Sequence, residues 1–222
     1  MNINQSRIRI LGLFGILGGI ILFIGDMLFY YNGNSTDLLT NMGNNSDFRI
    51  IASSITALFA TWFYLIGLAQ VYYAFKPASP VLRNVVLFCF GSILIAYGII
   101  HANYTAIAAT AKLSVQNHLD IKTATALALE SNQILRLFVY PFFAVLSFVF
   151  IAQVWKRKTL YPRWIIFFFP LFSFLLQGPL NMILTGKIKT VVVGGYLNII
   201  LIIFFSASVI ALWNIKPKSD EV

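Results

Sequence analysis

Two ionisable side chains, Asp26 and His101, lie inside long apolar stretches, where a charged group is costly. A carboxylate at Asp26 could bind a cation, exchange a proton or act as a general base. His101 shares a helix face with Tyr97, Tyr104 and Thr105, and such a face could relay protons or hold a polar ligand head. Each also has a structural alternative, in which Asp26 pairs with an Arg, a His or a helix terminus and His101 hydrogen-bonds a neighbouring helix.

Further polar side chains lie in the later apolar stretches. Gln177 and Asn181 share a helix face, and Pro179 between them is expected to kink the helix. A broken helix can line a binding site, although polar side chains also serve simply to hold helices together. The candidate ligand-binding residues are Asp26, Tyr97, His101, Tyr104, Gln177, Asn181 and Asn198, and the candidate acid–base residues are Asp26, His101 and Glu130.

Little in the sequence would hold a cofactor or a metal. Cys89 is the single cysteine, and two histidines cannot form a histidine-rich metal cluster. A metal held by Asp26, His101 and Glu130 is a weak alternative. Lysines are absent from the depths of the apolar stretches, and neither a phosphate-binding Walker loop nor a hydrolase motif is present. We therefore expect no metal and no cofactor.

The composition is that of a membrane protein. Hydrophobic residues make up 59% of the 222 residues and charged residues only 10%, against about 25% charged residues in soluble domains. The excess apolar surface must face lipid. The 16 Lys and Arg give a net charge of +9, but they are spread through short segments without a basic stripe. Contact with membrane lipids explains them better than nucleic-acid binding.

Six apolar stretches reach the roughly 20 residues that a membrane-spanning helix needs. They predict an all-α, polytopic transmembrane bundle that forms one domain over residues 1–222. With the N-terminus inside, the inner segments hold most of the Lys and Arg, so the positive-inside rule predicts that both termini are cytoplasmic. The predicted spans are approximately 8–31, 49–75, 82–110, 133–155, 164–185 and 191–213.

This orientation places most intramembrane polar groups in the outer halves of their helices. The inner halves are more uniformly apolar, so we expect a polar pocket that opens outward or toward the outer leaflet. The outer-half residues are Asp26, His101, Asn103, Tyr104, Gln177, Asn181, Tyr196 and Asn198.

Three segments outside this polar set carry their own expectations. Residues 32–47 have the composition of a solvated loop. Asp120 is placed to cap a helix that continues into the fourth span, which would let the third and fourth helices project as a hairpin. Gly12, Gly15, Gly18 and Gly19 form a small-residue face, which favours close packing within the chain over a dimer contact.

The layout resembles that of uncharacterised bacterial six-helix integral membrane proteins. The resemblance rests on Gly25-Asp26 near the outer end of the first helix, on the aromatic run Trp62 to Gly67 and on His101 late in the third helix. It implies a multi-pass protein of the bacterial cytoplasmic (inner) membrane and no particular activity.

Three functions remain open. The leading hypothesis is binding or transport of a small amphipathic molecule or lipid, with the polar head at Asp26, His101 and Gln177/Asn181. The second is a membrane-embedded enzyme that uses Asp26, His101 and Glu130 for acid–base chemistry on a lipid-like substrate. The third is a structural or assembly partner without a ligand. Convergence of Asp26 and His101 on an open cavity would favour the first two, and the sequence does not determine the oligomeric state.

Overall fold

A computed structural model describes residues 4–31 and 35–215, and this part of the chain forms ten α-helices and one short 3-10 helix without a strand. Residues 32–34, which begin the predicted loop, and the last seven residues lie outside the described residues. The helices are α1 (Gln5–Tyr30), α2 (Leu38–Gly43), α3 (Asp47–Ala74), α4 (Pro80–Gln116), α5 (Ile121–Leu137), α6 (Val139–Trp155), the 3-10 helix (Arg163–Phe168), α7 (Pro170–Leu175), α8 (Gln177–Ile183), α9 (Gly186–Gly194) and α10 (Tyr196–Ala211).

Four helical runs are long and apolar enough to cross a membrane: α1, α3, α4 and the nearly continuous run of α5 and α6. The number rises to six if each of two bent helix pairs forms one span. The all-helical prediction is therefore confirmed, with four to six candidate spans.

The fifth and sixth predicted spans are broken helices. The segment Arg163–Leu175 and the following α8 meet at a bend of 55°. Helices α9 and α10 meet at a bend of 61°. Pro179 lies four residues after Leu175, so its ring removes the hydrogen bond that would continue α7, as the sequence predicts. The second break falls at Gly194 and Gly195, where no break is predicted from the sequence. At Gly195 a Cβ would collide with the ring of Phe23.

The α4–α5 hairpin is long. At about 1.5 Å per residue, the 37 residues of α4 extend about 55 Å, well beyond a hydrocarbon core of about 30 Å. The predicted cap of α5 is confirmed, because the Asp120 side chain accepts a hydrogen bond from the Thr123 backbone N at 2.8 Å. The hydrogen bonds that Asp120 accepts from the Thr123 hydroxyl and from the Thr123 backbone N together lower the pKa of the exposed Asp120 carboxyl.

The glycine face of α1 packs inside the bundle, against α3 and α10. A Cβ at Gly67 would lie 2.5 Å from the Gly15 Cα, and one at Gly15 would strike the ring of Phe205. The missing side chains therefore let α1 approach both neighbours closely.

The segment after α1 is folded, so the expectation of a solvated loop is wrong for residues 38–45. The side-chain amides of Asn41 and Asn45 are buried and donate to the carbonyl oxygens of Tyr30 and Phe29, each at 2.8 Å. Arg49 donates to three further carbonyls at the end of α1. The last carbonyls of a helix have no partner within it, and these polar side chains supply one.

Both ends of the described chain lie on the same face of the bundle. Arg9 donates through Nε and Nη2 to the Trp213 carbonyl oxygen, at 2.9 and 2.7 Å, and its guanidinium stacks over the Trp213 ring. The side chain of Gln5 bridges Leu212 and Ile215. The first helix and the last are therefore held together at the end opposite Asp26.

A buried polar network also occupies this end, where the sequence predicts helices that are more uniformly apolar than at the other end. Tyr161 and Ser208 hydroxyls lie 2.7 Å apart, and Ser208 donates to Gln70 Oε1 at 2.7 Å. Gln70 Nε2 donates to the Ile8 carbonyl oxygen at 3.2 Å. Phe204 and Phe205 fill the middle of the bundle, and the network is separated from Asp26 by this aromatic layer.

Candidate functional site

Asp26 on α1 and His101 on α4 meet in the bundle. The His101 Nδ1 lies 3.1 Å from the Asp26 Oδ1, and the two residues are only 4% and 7% exposed. Gly25 makes the approach possible, because a Cβ at this position would lie 3.0 Å from His101 Nε2 and would also collide with the Thr56 hydroxyl. The Gly25-Asp26 pair of the sequence therefore has a packing role beside its carboxylate.

The second carboxylate oxygen binds the last helix. Asn198 Nδ2 donates to Asp26 Oδ2 at 2.6 Å, and the Tyr64 hydroxyl donates to Asn198 Oδ1 at 3.0 Å. Side chains from α1, α3, α4 and α10 thus form one connected network. A buried carboxylate needs such partners, since its desolvation is otherwise uncompensated.

The far side of the His101 ring faces Ser53 on α3. The Ser53 hydroxyl lies 2.7 Å from the Gly25 carbonyl oxygen and 3.0 Å from His101 Nε2. The backbone carbonyl oxygen of Ser53 also lies 3.2 Å from Nε2. The imidazole is therefore held at both nitrogens, by Asp26 at Nδ1 and by Ser53 at Nε2.

Asp26 and His101 line a partly open cavity of about 220 Å³. Of the predicted ligand-binding residues, Asp26, Tyr97, His101, Tyr104, Gln177 and Asn198 lie in its wall. The rest of the wall combines further polar groups with apolar side chains. These additional wall residues are Leu22, Tyr30, Leu38, Ile100, Arg136, Val139, Tyr140, Phe143, Phe174, Val193, Gly194 and Leu197.

Asn181 and Glu130 do not join this cavity. Both are exposed, and neither lies in its wall. Asn181 is one turn beyond Gln177 on α8, whose axis is bent by 55° from the preceding segment. Glu130 lies six residues before Arg136 on α5, so it points to a different side of the helix. Among the described residues no group of three His, Cys, Asp or Glu could hold a metal ion, and Glu130 does not join Asp26 and His101 at the cavity.

Arg136 is the charged wall residue that was not selected from the sequence. Helix α5 carries its half-buried guanidinium into the cavity wall. Nη2 donates to the Tyr104 hydroxyl at 2.8 Å and Nε to Asn132 Oδ1 at 3.0 Å. Asn132 in turn donates to the Ile100 carbonyl oxygen at 2.9 Å. The i, i+4 spacing of Asn132 and Arg136 was the signal available in the sequence.

A second hollow adjoins the cavity. It measures about 190 Å³ and lies between α4 and the α5–α6 run, and Ile100 and Val139 line both spaces. Apart from Ser92, its wall is apolar. A polar cavity and an apolar groove therefore lie side by side on α4.

The fold and site define an all-helical protein with four to six candidate membrane-spanning helices and a polar cavity inside the bundle. The chain belongs to a family of unknown function, DUF6796, whose model matches residues 1–215. A search of curated proteins and a search of solved structures each found no match.

Proposed function

We propose that the protein is a six-span protein of the bacterial cytoplasmic membrane that binds or carries a small amphipathic molecule or lipid in the cavity. Both termini are cytoplasmic in this proposal. The contact of Arg9 with Trp213 supports an even number of crossings, because it holds the two chain ends on one face. Counting each bent pair as one span then gives six.

The observation that carries the proposal is the convergence of Asp26, His101 and Asn198 on one cavity. Side chains that only bind helices together would be buried against one another without leaving space beside them. Here His101 and Asn198 each hydrogen-bond Asp26, and all three side chains also line a cavity of about 220 Å³. The wall combines these polar groups with apolar side chains such as Phe143 and Leu197, which suits a ligand with a polar and an apolar part.

Ligand retention tests this proposal. The protein would be extracted from its membrane in a nonionic detergent, and co-purified small molecules would be identified by mass spectrometry. Leu197→Trp fills the cavity and should remove the retained molecule, whereas the matched control Ile203→Trp, on the exposed side of the same helix, should leave it unchanged. Equal retention by both variants would overturn the proposal.

A second candidate function is an enzyme, favoured by one observation. Ser53, His101 and Asp26 form a hydrogen-bonded chain in the order used by serine hydrolases. Against it, Ser53 is completely buried, is absent from the cavity wall and has its hydroxyl 2.7 Å from Gly25 O. A nucleophile has to reach its substrate, so the carrier function is preferred.

An assay of chemical turnover distinguishes the carrier from the enzyme. Purified protein incubated with a lipid extract should leave the extract chemically unchanged if the protein is a carrier. Product formation that disappears in Asp26→Asn and in Ser53→Ala would establish the enzyme. Retained ligand without product would support the carrier.

A further inference from the structure

Arg136 has hydrogen-bonding capacity that its neighbours leave unused. A guanidinium has five N–H donors, and the contacts to Tyr104 and Asn132 use only Nε and Nη2. Both of these partners are neutral. An arginine in an apolar bundle that contacts only neutral groups has the charge to bind an anion.

No carboxylate among the described residues forms an ion pair with Arg136. The ion pairs there are His101 with Asp26 and Lys112 with Asp47. Asp26 shares the cavity with Arg136, but its two oxygens are bound by His101 Nδ1 and Asn198 Nδ2. The positive charge of the cavity wall is therefore available to a ligand.

The apolar groove lies next to this charge. Leu135 lines the groove and Arg136 lines the cavity, so consecutive residues of α5 serve the two spaces. Ile100 and Val139 form the wall that the spaces share. A ligand with its head at Arg136 can therefore extend an alkyl chain beyond Val139 into an apolar surrounding.

We propose that the ligand is an anionic amphiphile whose carboxylate or phosphate binds the Arg136 guanidinium and whose alkyl chain occupies the groove between α4 and the α5–α6 run. This inference rests on the proposed function and specifies its ligand class. A planar guanidinium binds an oxyanion through two parallel N–H groups, which selects such heads over neutral or cationic ones.

Probes that share one chain and differ in head group test the inference. Dodecyl phosphate, dodecanoate, dodecanol and dodecyltrimethylammonium would be titrated into the full-length protein in a nonionic maltoside, with binding followed by calorimetry. Inorganic phosphate serves as the head without a chain. We expect both anionic amphiphiles to bind about 10- to 100-fold more tightly than dodecanol, the range that a charge-assisted hydrogen bond supplies, and inorganic phosphate to bind far more weakly.

Two substitutions of Arg136 test whether its charge causes the preference for anionic amphiphiles over dodecanol. Arg136→Gln should reduce the affinity for dodecyl phosphate to that for dodecanol, and Arg136→Lys should retain a preference for the anion. Lys122→Gln removes an exposed cation at the start of the same helix and should change nothing. Size-exclusion elution and dodecanol binding report whether each variant is folded.

The outcomes distinguish this inference from the proposed function. If dodecanol binds as tightly as dodecyl phosphate, or if Arg136→Gln retains the preference, the anionic head is refuted and the amphiphile carrier stands. If inorganic phosphate binds as tightly as dodecyl phosphate, the groove has no role. If no amphiphile binds, the proposed function itself fails.

Discussion

Asn198 donates to Asp26 over 2.6 Å and thereby joins the last helix of the bundle to the first. The same amide accepts a hydrogen bond from Tyr64 at 3.0 Å. One side chain therefore satisfies both a buried carboxylate and a buried hydroxyl. A leucine of similar size could do neither.

Asn198→Leu should destabilise the protein by about 1–2 kcal/mol, because it leaves the Asp26 oxygen and the Tyr64 hydroxyl without partners. Thermal unfolding in detergent measures the change. Asn181→Leu, which replaces an exposed amide, is the control and should stay within about 0.5 kcal/mol. A coupling near 0.6 kcal/mol is expected between Asn198→Leu and Tyr64→Phe in a double-mutant cycle; strict additivity would show that the two side chains do not interact.

The α1–α3 contact should not tolerate a methyl group. Gly67→Ala places a Cβ against the Gly15 backbone, and the resulting overpacking is expected to cost about 1–3 kcal/mol. Gly178→Ala is the matched control, since nothing lies within 4 Å of a Cβ there. Unfolding midpoints should fall for the first variant and be unchanged or raised for the second. Equal midpoints would mean that α1 and α3 are further apart than described.

Labelling with a membrane-impermeant maleimide should alternate along the second half of the chain. In a Cys89→Ala background, Asn117→Cys and Lys187→Cys should react in intact cells, and Lys158→Cys only after permeabilisation. All three positions are exposed. The pattern follows from six spans with cytoplasmic ends. Labelling of Lys187→Cys only after permeabilisation would instead make the bent fifth segment a re-entrant loop.

The cap of α5 should depend on pH. The folded-state pKa of Asp120 is lowered by its hydrogen bonds from Thr123, so the cap stabilises the helix start above the ordinary carboxyl value of about 3.9. This stabilisation is lost as the pH falls through the lower, folded value. Amide exchange at residues 121–125 should therefore accelerate in acid, relative to intrinsic rates. Asp120→Asn keeps a cap that does not titrate and should remove this dependence; its persistence would assign it to another group.

The amino-acid sequence by itself determined the helical class, the candidate spans and several polar residues of the cavity wall, Asp26 and His101 among them. Apolar length dictates membrane helices because unpaired backbone groups are costly in lipid. Asp26 and His101 could be selected because lone ionisable groups in such helices need partners. Pro179 predicted the kink of the fifth candidate span for a local reason, the missing N–H.

Tertiary packing decided the rest. Whether Asp26 binds His101 or another group depends on how closely α1 packs against α3 and α10. Gly15 and Gly67 affect that distance only through the contact between the packed helices. The position of Arg136 in the cavity wall depends on the rotation of α5 about its axis, which hydrophobicity does not determine at a membrane boundary. Helix length and polarity are local properties of the chain, whereas the cavity is the space between helices that are far apart in sequence.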